Sequence, residues 1–228
     1  MRRVVVTGLG IVSSIGTGQD EVAASLRTAR SGVVTAPDHA AYGFRSQVWA
    51  PPSLGVTAED WMPLVDRRAA RFLANGTAWG HIAFEEALKD SGLTAGEIQS
   101  ERIGLIVGEG GPSTQIILQA AATTVEKNSP KRIGPFAVPK AMASGPSAVL
   151  ATWFQLKGIN YSISSACAIT LVLSTFCQIS SLSFSTVVRD PIPALLIRMS
   201  RLVLNFLNSE NAFFTEGVSE ISHLINVA

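Results

Sequence analysis

The chain has 228 residues, 47% of them hydrophobic and 15% charged, with 18 Lys and Arg against 17 Asp and Glu for a formal charge of +1. That length fits one domain, or one domain and a part of another, with enough apolar residues for a sizeable core. So even a charge balance gives no general electrostatic case for nucleic acid or an anionic membrane. The two cysteines, Cys167 and Cys177, make neither a disulfide framework nor a zinc pattern, and His39, His81 and His223 are scattered, so no metal site is expected. The composition describes a soluble, cytoplasmic α/β protein.

In chain order, Arg2 and Arg3 precede Val4-Val5-Val6, a superficially signal-like start. Thr7, Gly8, Gly10, Ser13 and Ser14 interrupt the apolar run too early for a secretory leader. Val4–Thr7 instead reads as a buried strand closed by Gly8-Leu9-Gly10. Thr17 and Asp20 have capping-box spacing, Val22 and Leu26 share a helical face, and Gly32 is a stop. The stretch 33–65, broken by Pro37, Pro51, Pro52 and Pro63, reads as extended loop. Asp66 to about Ser91 is one long helical pattern ended by Gly92. Ile103–Val107 reads as a strand running into Gly108-Glu109-Gly110-Gly111, and a helix is expected over about 114–126. Ser147–Lys157 is a further helix, with Pro146 tolerable only at its first turn. Asn160–Ser164 is the last strand. Strands alternating with helices at this spacing predict a parallel or mixed sheet covered by helices.

The composition changes after Ala168. Residues 1–168 hold 18 of the 19 glycines and all five lysines, whereas 169–228 hold one glycine, no lysine and seven charged residues. Two units are therefore expected, 1–168 and an atypical, partly helical tail over 169–228. Ile169–Val188 carries no charge over twenty residues, but nine of them are Ser, Thr or Gln, which argues against a membrane span.

Two glycine-rich turns invite a ligand. Gly8-Leu9-Gly10-Ile11-Val12-Ser13 follows a strand as a dinucleotide fingerprint would, yet its third glycine is a serine and the helix begins late. An ordinary backbone turn is the better reading. Gly108–Gly111 lacks the Gly-Lys-Ser/Thr ending of a phosphate loop, and reads either as a turn or as a lining where backbone passes close to a ligand.

Asn160-Tyr161-Ser162-Ile163-Ser164-Ser165-Ala166-Cys167-Ala168 carries the chemistry. A strand ends in small residues, and a cysteine follows at an expected strand-to-helix junction. Small neighbours leave room for a substrate carbonyl at the sulfur, and a helix N-terminus stabilises thiolate over thiol.

At these residues the sequence resembles the β-ketoacyl-[acyl-carrier-protein] synthases of bacterial fatty-acid synthesis. The likeness extends to Val4–Gly16, which is similar to the family's opening strand and loop. It also includes Lys140-Ala141-Met142-Ala143-Ser144-Gly145 and Tyr161–Ala168, in family order and spacing. It covers about residues 1–168. The resemblance implies the thiolase-like fold, two αβ halves forming five αβαβα layers in a homodimer, of which this chain holds mainly the N-terminal half. It implies that Cys167 accepts an acyl group from acyl-carrier protein, and that the enolate of a decarboxylating malonyl thioester attacks the acyl-enzyme. The substrates are phosphopantetheine thioesters and no cofactor is expected. Gly108, Gly110, Gly111 and Met142 would line the acyl pocket, Met142 reaching the partner subunit's pocket or simply filling the core. Arg67, Arg68 and Arg71, with Lys131 and Arg132, would form a basic patch for the acidic carrier protein.

The sequence also departs from the family. The family's condensing step uses two histidines and a lysine in its second half. Here 61 residues follow Cys167, and they contain His223 alone and no lysine. Ile169-Thr170-Leu171-Val172-Leu173 replaces the expected small-residue helix, a break that a shifted reading frame would produce. The expectation is an acyltransferase by descent, truncated and impaired. The alternative is a non-catalytic fragment serving as a dimerisation or carrier-protein interaction module.

Overall fold

The computed structural model describes residues 6–164. The expected strand Val4–Thr7 lies partly outside this range, and Val6 and Thr7 are irregular rather than extended in a sheet. The tail, with its uncharged stretch 169–188, lies wholly outside it. No helix among the described residues is long and apolar enough to cross a membrane.

The chain opens with a tight antiparallel pair, β1 (Val12–Ser13) and β2 (Gly16–Thr17), followed by α1 (Gln19–Arg27). The Thr17/Asp20 capping box does not form. Gly18 is the N-cap of α1, and Glu21 turns back to accept from the Thr17 backbone N–H at 2.9 Å. Residues 33–65 are mostly loop, as expected, but fold into short pieces: β3 (Val34–Thr35) paired antiparallel with β4 (Val48–Trp49), α2 (Pro37–Ala41) and α3 (Ala58–Trp61).

The long helix expected over 66–91 is two helices, α4 (Arg67–Ala70) and α5 (Asn75–Ser91). No glycine or proline breaks it. Leu73 in the break is 1% exposed and packs with Trp61, Ala69, Ala70 and Ala78, so tertiary burial overrides the helical pattern. Gly92 ends α5 in the left-handed conformation, at φ 69°. The short α6 (Ala95–Ile98) follows under a capping box of Thr94 and Glu97.

Strand β5 (Leu105–Glu109) runs parallel to β6 (Asn160–Ser164), from Leu105 opposite Asn160 to Glu109 opposite Ser164. The crossover carries α7 (Thr114–Lys127), α8 (Ala137–Ala141) and α9 (Gly145–Trp153). Thus β5 sits two residues later than expected, β6 agrees at both ends, and α9 starts and stops earlier than Ser147–Lys157. Pro146 is in its first turn, where its missing N–H costs nothing. The core joins the buried strand residues Leu105, Ile106 and Val107 to Trp79, Ala83 and Phe84 of α5 and Leu150 of α9. Burial of these large side chains from two helices and a strand holds the half-layer together.

Candidate functional site

The first glycine turn is occupied by the protein itself. An added Cβ on Gly8 would lie 2.2 Å from the Ala87 carbonyl oxygen, and one on Gly10 would lie 1.8 Å from that of Ala83. These glycines let the segment lie directly on the backbone of α5. Its donors are also taken: Leu9 N–H donates to Asp90 Oδ2 and Ile11 N–H to Glu86 Oε2, both at 2.9 Å. Two carboxylates stand where nucleotide phosphates would need to be, so this turn is structural.

The second turn closes β5 beside the end of β6. Gly108 is buried opposite Ile163, and Gly110 and Gly111 are partly covered. Nothing described lies within 4 Å of a Cβ built on Gly111, so close packing against the described residues does not explain that glycine. Residues aligned in a parallel register point to the same side. On one side, Asn160 Nδ2 donates to Ser147 O at 3.2 Å and Ser162 Oγ donates to Ser147 Oγ at 2.7 Å. Ser147 Oγ in turn donates to Ser144 O at 3.2 Å. This polar file fixes the start of α9 against the strand whose end precedes Cys167 by three residues. Cys167 itself lies outside the described residues.

Glu109 belongs to the same side, at the end of the file. Its Oε2 is buried without a hydrogen-bond partner among the described residues, and desolvation pushes the carboxyl up to about 8. Sequence reasoning passed over this residue. The available signal was a lone acid between an apolar strand and three glycines.

Met142 follows α8 and is 44% exposed, so it is not a core residue of this chain. Gly145 is required nearby, because a Cβ there would come within 2.4 Å of Pro139 O.

The basic candidates are all exposed. Arg67 and Arg68 are in α4, and Arg71 caps it. With only four residues, that helix has too little dipole to disfavour the arginines. Asp66 Oδ1 instead accepts from Arg68 N–H at 2.7 Å as the N-cap. Lys131 and Arg132 lie in a 3₁₀ turn. Phe72, next to Arg71, meets Phe136 edge-on with centroids 5.0 Å apart, which brings the two basic segments into one neighbourhood.

His81 is fully buried, with Nε2 placed 3.2 Å from Glu85 Oε1 and its ring against Trp153 and Phe154. It is a packed core histidine. No group of three or more His, Cys, Asp or Glu residues that could hold a metal occurs among the described residues.

Residues 1–178 match the family model described as beta-ketoacyl synthase, N-terminal domain. The chain is 45% identical over 169 residues to 3-oxoacyl-[acyl-carrier-protein] synthase 1 of Escherichia coli K12, covering 74% of this chain and 40% of that protein. It is 40% identical over 168 residues to the Haemophilus influenzae protein of the same name, again covering 74% and 40%. A crystal structure of a beta-ketoacyl synthase from Burkholderia phymatum superposes with a TM-score of 0.62 at 27% identity, covering 80% of this chain and 44% of that one. The chain therefore spans about two-fifths of the length of the curated relatives it matches. Its β5–β6 crossover unit is part of the thiolase-like αβ half, and the chain belongs to the β-ketoacyl synthase family, whose N-terminal domain it carries.

Proposed function

We propose that this chain performs the acyl-accepting half of a β-ketoacyl synthase reaction in fatty-acid biosynthesis, with Cys167 as nucleophile. The Cys167 thiolate attacks the carbonyl of an acyl thioester on the phosphopantetheine of acyl-carrier protein. A new carbon–sulfur bond forms, the old one breaks, and the pantetheine sulfur leaves to take up a proton. The observation that carries this reading is the family run Tyr161–Ala168, whose first four residues belong to β6, in a chain 45% identical to the Escherichia coli enzyme over 169 residues. Gly108, Gly110, Gly111 and Met142 line the acyl pocket. The exposure of Met142 supports its reaching a partner subunit in a homodimer. The protein works in the cytoplasm and needs no cofactor.

Carbon–carbon bond formation is a separate demand. Decarboxylation of a malonyl thioester needs preorganised donors for the enolate, and after Cys167 this sequence holds one histidine and no lysine. Acylation without elongation is the expected behaviour. A second reading, a dimerisation or carrier-binding module without catalysis, is favoured by that same shortage of donors.

Incubation with acyl- and malonyl-carrier thioesters, read by mass spectrometry, tests both. An acyl adduct on Cys167 without β-ketoacyl product is expected. No adduct would leave the module reading, and sustained product would refute the impairment.

A further inference from the structure

Glu109 ends β5 where the Gly110-Gly111 turn begins, directly opposite Ser164, the last residue of β6. Its Oε2 is buried and has no hydrogen-bond partner among the described residues. The elements packed against β5 supply no charge to balance a carboxylate. Strand β6 and helix α9 contain no Asp, Glu, Lys, Arg or His, and Tyr161, the titratable group of β6, falls on the opposite side of the register. Helix α5 gives this core Trp79, Ala83, Phe84 and Ala87, none of them titratable. Desolvation therefore keeps a proton on Glu109, whose carboxyl is pushed up to about 8. As packing alone this residue is a cost, because an apolar side chain would bury there without an unpaired group. Covalent geometry ties it to the nucleophile: Cys167 follows Ser164 by three residues, which span at most roughly 11 Å. The space beside Gly111 is open among the described residues, which leaves room for a thioester to approach this strand end.

We propose that Glu109 is the general acid of acyl transfer, handing its proton to the pantetheine sulfur as that sulfur leaves. The inference rests on Cys167 as the acyl acceptor. A nucleophile with a depressed thiol pKa is itself a better leaving group than the pantetheine it displaces, an alkyl thiol of roughly 8.5. Without a proton donor, the tetrahedral adduct therefore tends to expel Cys167 again. Protonating the departing sulfur tips that partition forward, and an acid whose pKa lies near that of the thiol is matched to the task. The bond from Cys167 sulfur to the acyl carbon forms, and the bond from that carbon to pantetheine sulfur breaks with its electron pair on sulfur. The proton passes from Glu109 to that sulfur and leaves a carboxylate. Water returns a proton to Glu109, equal to the one Cys167 released on ionising, so the exchange balances. The residue is only partly covered, which gives water that access.

The test gives the full chain two acyl donors, an acyl pantetheine thioester and the matching aryl thioester, whose thiol is acidic enough to leave without a proton. Mass spectrometry times adduct formation on Cys167 in the parent and in Glu109→Gln, and thermal melting checks that the variant is folded. Glu109→Gln should slow transfer from the pantetheine donor at least about tenfold, and change transfer from the aryl donor by less than about threefold. Ionisation of Cys167 cancels in the pantetheine-to-aryl rate ratio. In the parent that ratio should fall as pH rises past about 8, and in Glu109→Gln it should be flat. Should Glu109→Gln not fold, the parent's ratio against pH still decides. Equal slowing of both donors would make Glu109 a packing residue, and unchanged rates or a flat parent ratio would remove it from the reaction. Each of these overturns the inference. No adduct on Cys167 of the parent from either donor would instead overturn the acyl-accepting reading, and the role of Glu109 with it.

Discussion

Glu109 ends a buried strand, and its acid group pairs with nothing described around it. The carboxyl is pushed up to about 8 by desolvation, whereas in the unfolded chain it ionises in the ordinary range near 4.5. Between those values the folded state holds a proton that the unfolded state has lost, so stability falls as pH rises across this window. Below it the contribution is constant. Glu109→Gln keeps the shape without the titration. It should flatten the pH 5–8 dependence and raise stability at pH 8 by about 1–2 kcal/mol, a figure discounted for the group's partial access to water. Chemical denaturation of both proteins at pH 5 and pH 8 checks this, and parallel slopes would reject it. Cysteine chemistry gives a second expectation at this scale. Cys167 follows β6 among Ser164, Ser165 and Ala166, whereas Cys177 lies between Phe176 and Gln178. If small neighbours and a depressed thiol pKa set reactivity, limiting iodoacetamide should label Cys167 at least several-fold faster than Cys177. Peptide mapping reads the ratio, and equal rates would count against Cys167 as the nucleophile.

Among the elements, β6 and the end of α5 were legible because local chemistry decides them. Asn160–Ser164 is a short strand between a turn glycine and small residues, and Gly92 supplies the left-handed conformation that ends α5. The α4–α5 break was not legible. Arg71-Phe72-Leu73-Ala74 contains no breaker, and burial of Leu73 in the cluster with Trp61, Ala69, Ala70 and Ala78 makes the interruption favourable. The capping pair Thr94 and Glu97 marks α6 in plain letters, so that helix could have been found. The matching letters at Thr17 and Asp20 mislead, because Glu21 captures the Thr17 N–H first. For the site, the glycines and Met142 could be named from the family run. The isolated Glu109 carboxyl depends on β5 and the distant β6 meeting. Leu73 tests the account of the break. Leu73→Ala should cost about 2–4 kcal/mol through lost burial and a residual cavity. Leu118→Ala on α7, where Leu118 is 69% exposed, should change stability by no more than about 0.5 kcal/mol. Equal effects in thermal unfolding would mean that Leu73 does not hold α4 to α5.

Across the whole molecule, near-neutrality conceals an uneven surface. A formal charge of +1 gives little long-range attraction for an acidic partner, so recognition has to come from a local cluster. Arg67, Arg68 and Arg71 are exposed and form no ion pair among the described residues, and neither do Lys131 and Arg132. Intramolecular salt bridges therefore do not explain their placement. The Phe72–Phe136 contact joins the two segments, so five cations can act on one partner surface. Surface charges contribute little to folding, and reversing them should move binding far more than stability. Arg67→Glu with Arg71→Glu should weaken binding to acyl-carrier protein at least tenfold, with the melting temperature within a few degrees of the parent. Affinity of the parent should fall as ionic strength rises, because exposed charge pairs separated by more than the roughly 8 Å Debye length at physiological salt are largely screened. Arg27→Glu with Lys89→Glu changes net charge equally at the last turns of α1 and α5, on elements that carry none of the patch residues. Parent-like binding by this control, together with loss in the patch variant, is the expected pattern. Salt-independent affinity, or equal losses in the two double variants, would mean that general charge or no charge at all governs the encounter, and the arginines would then be ordinary solvated surface.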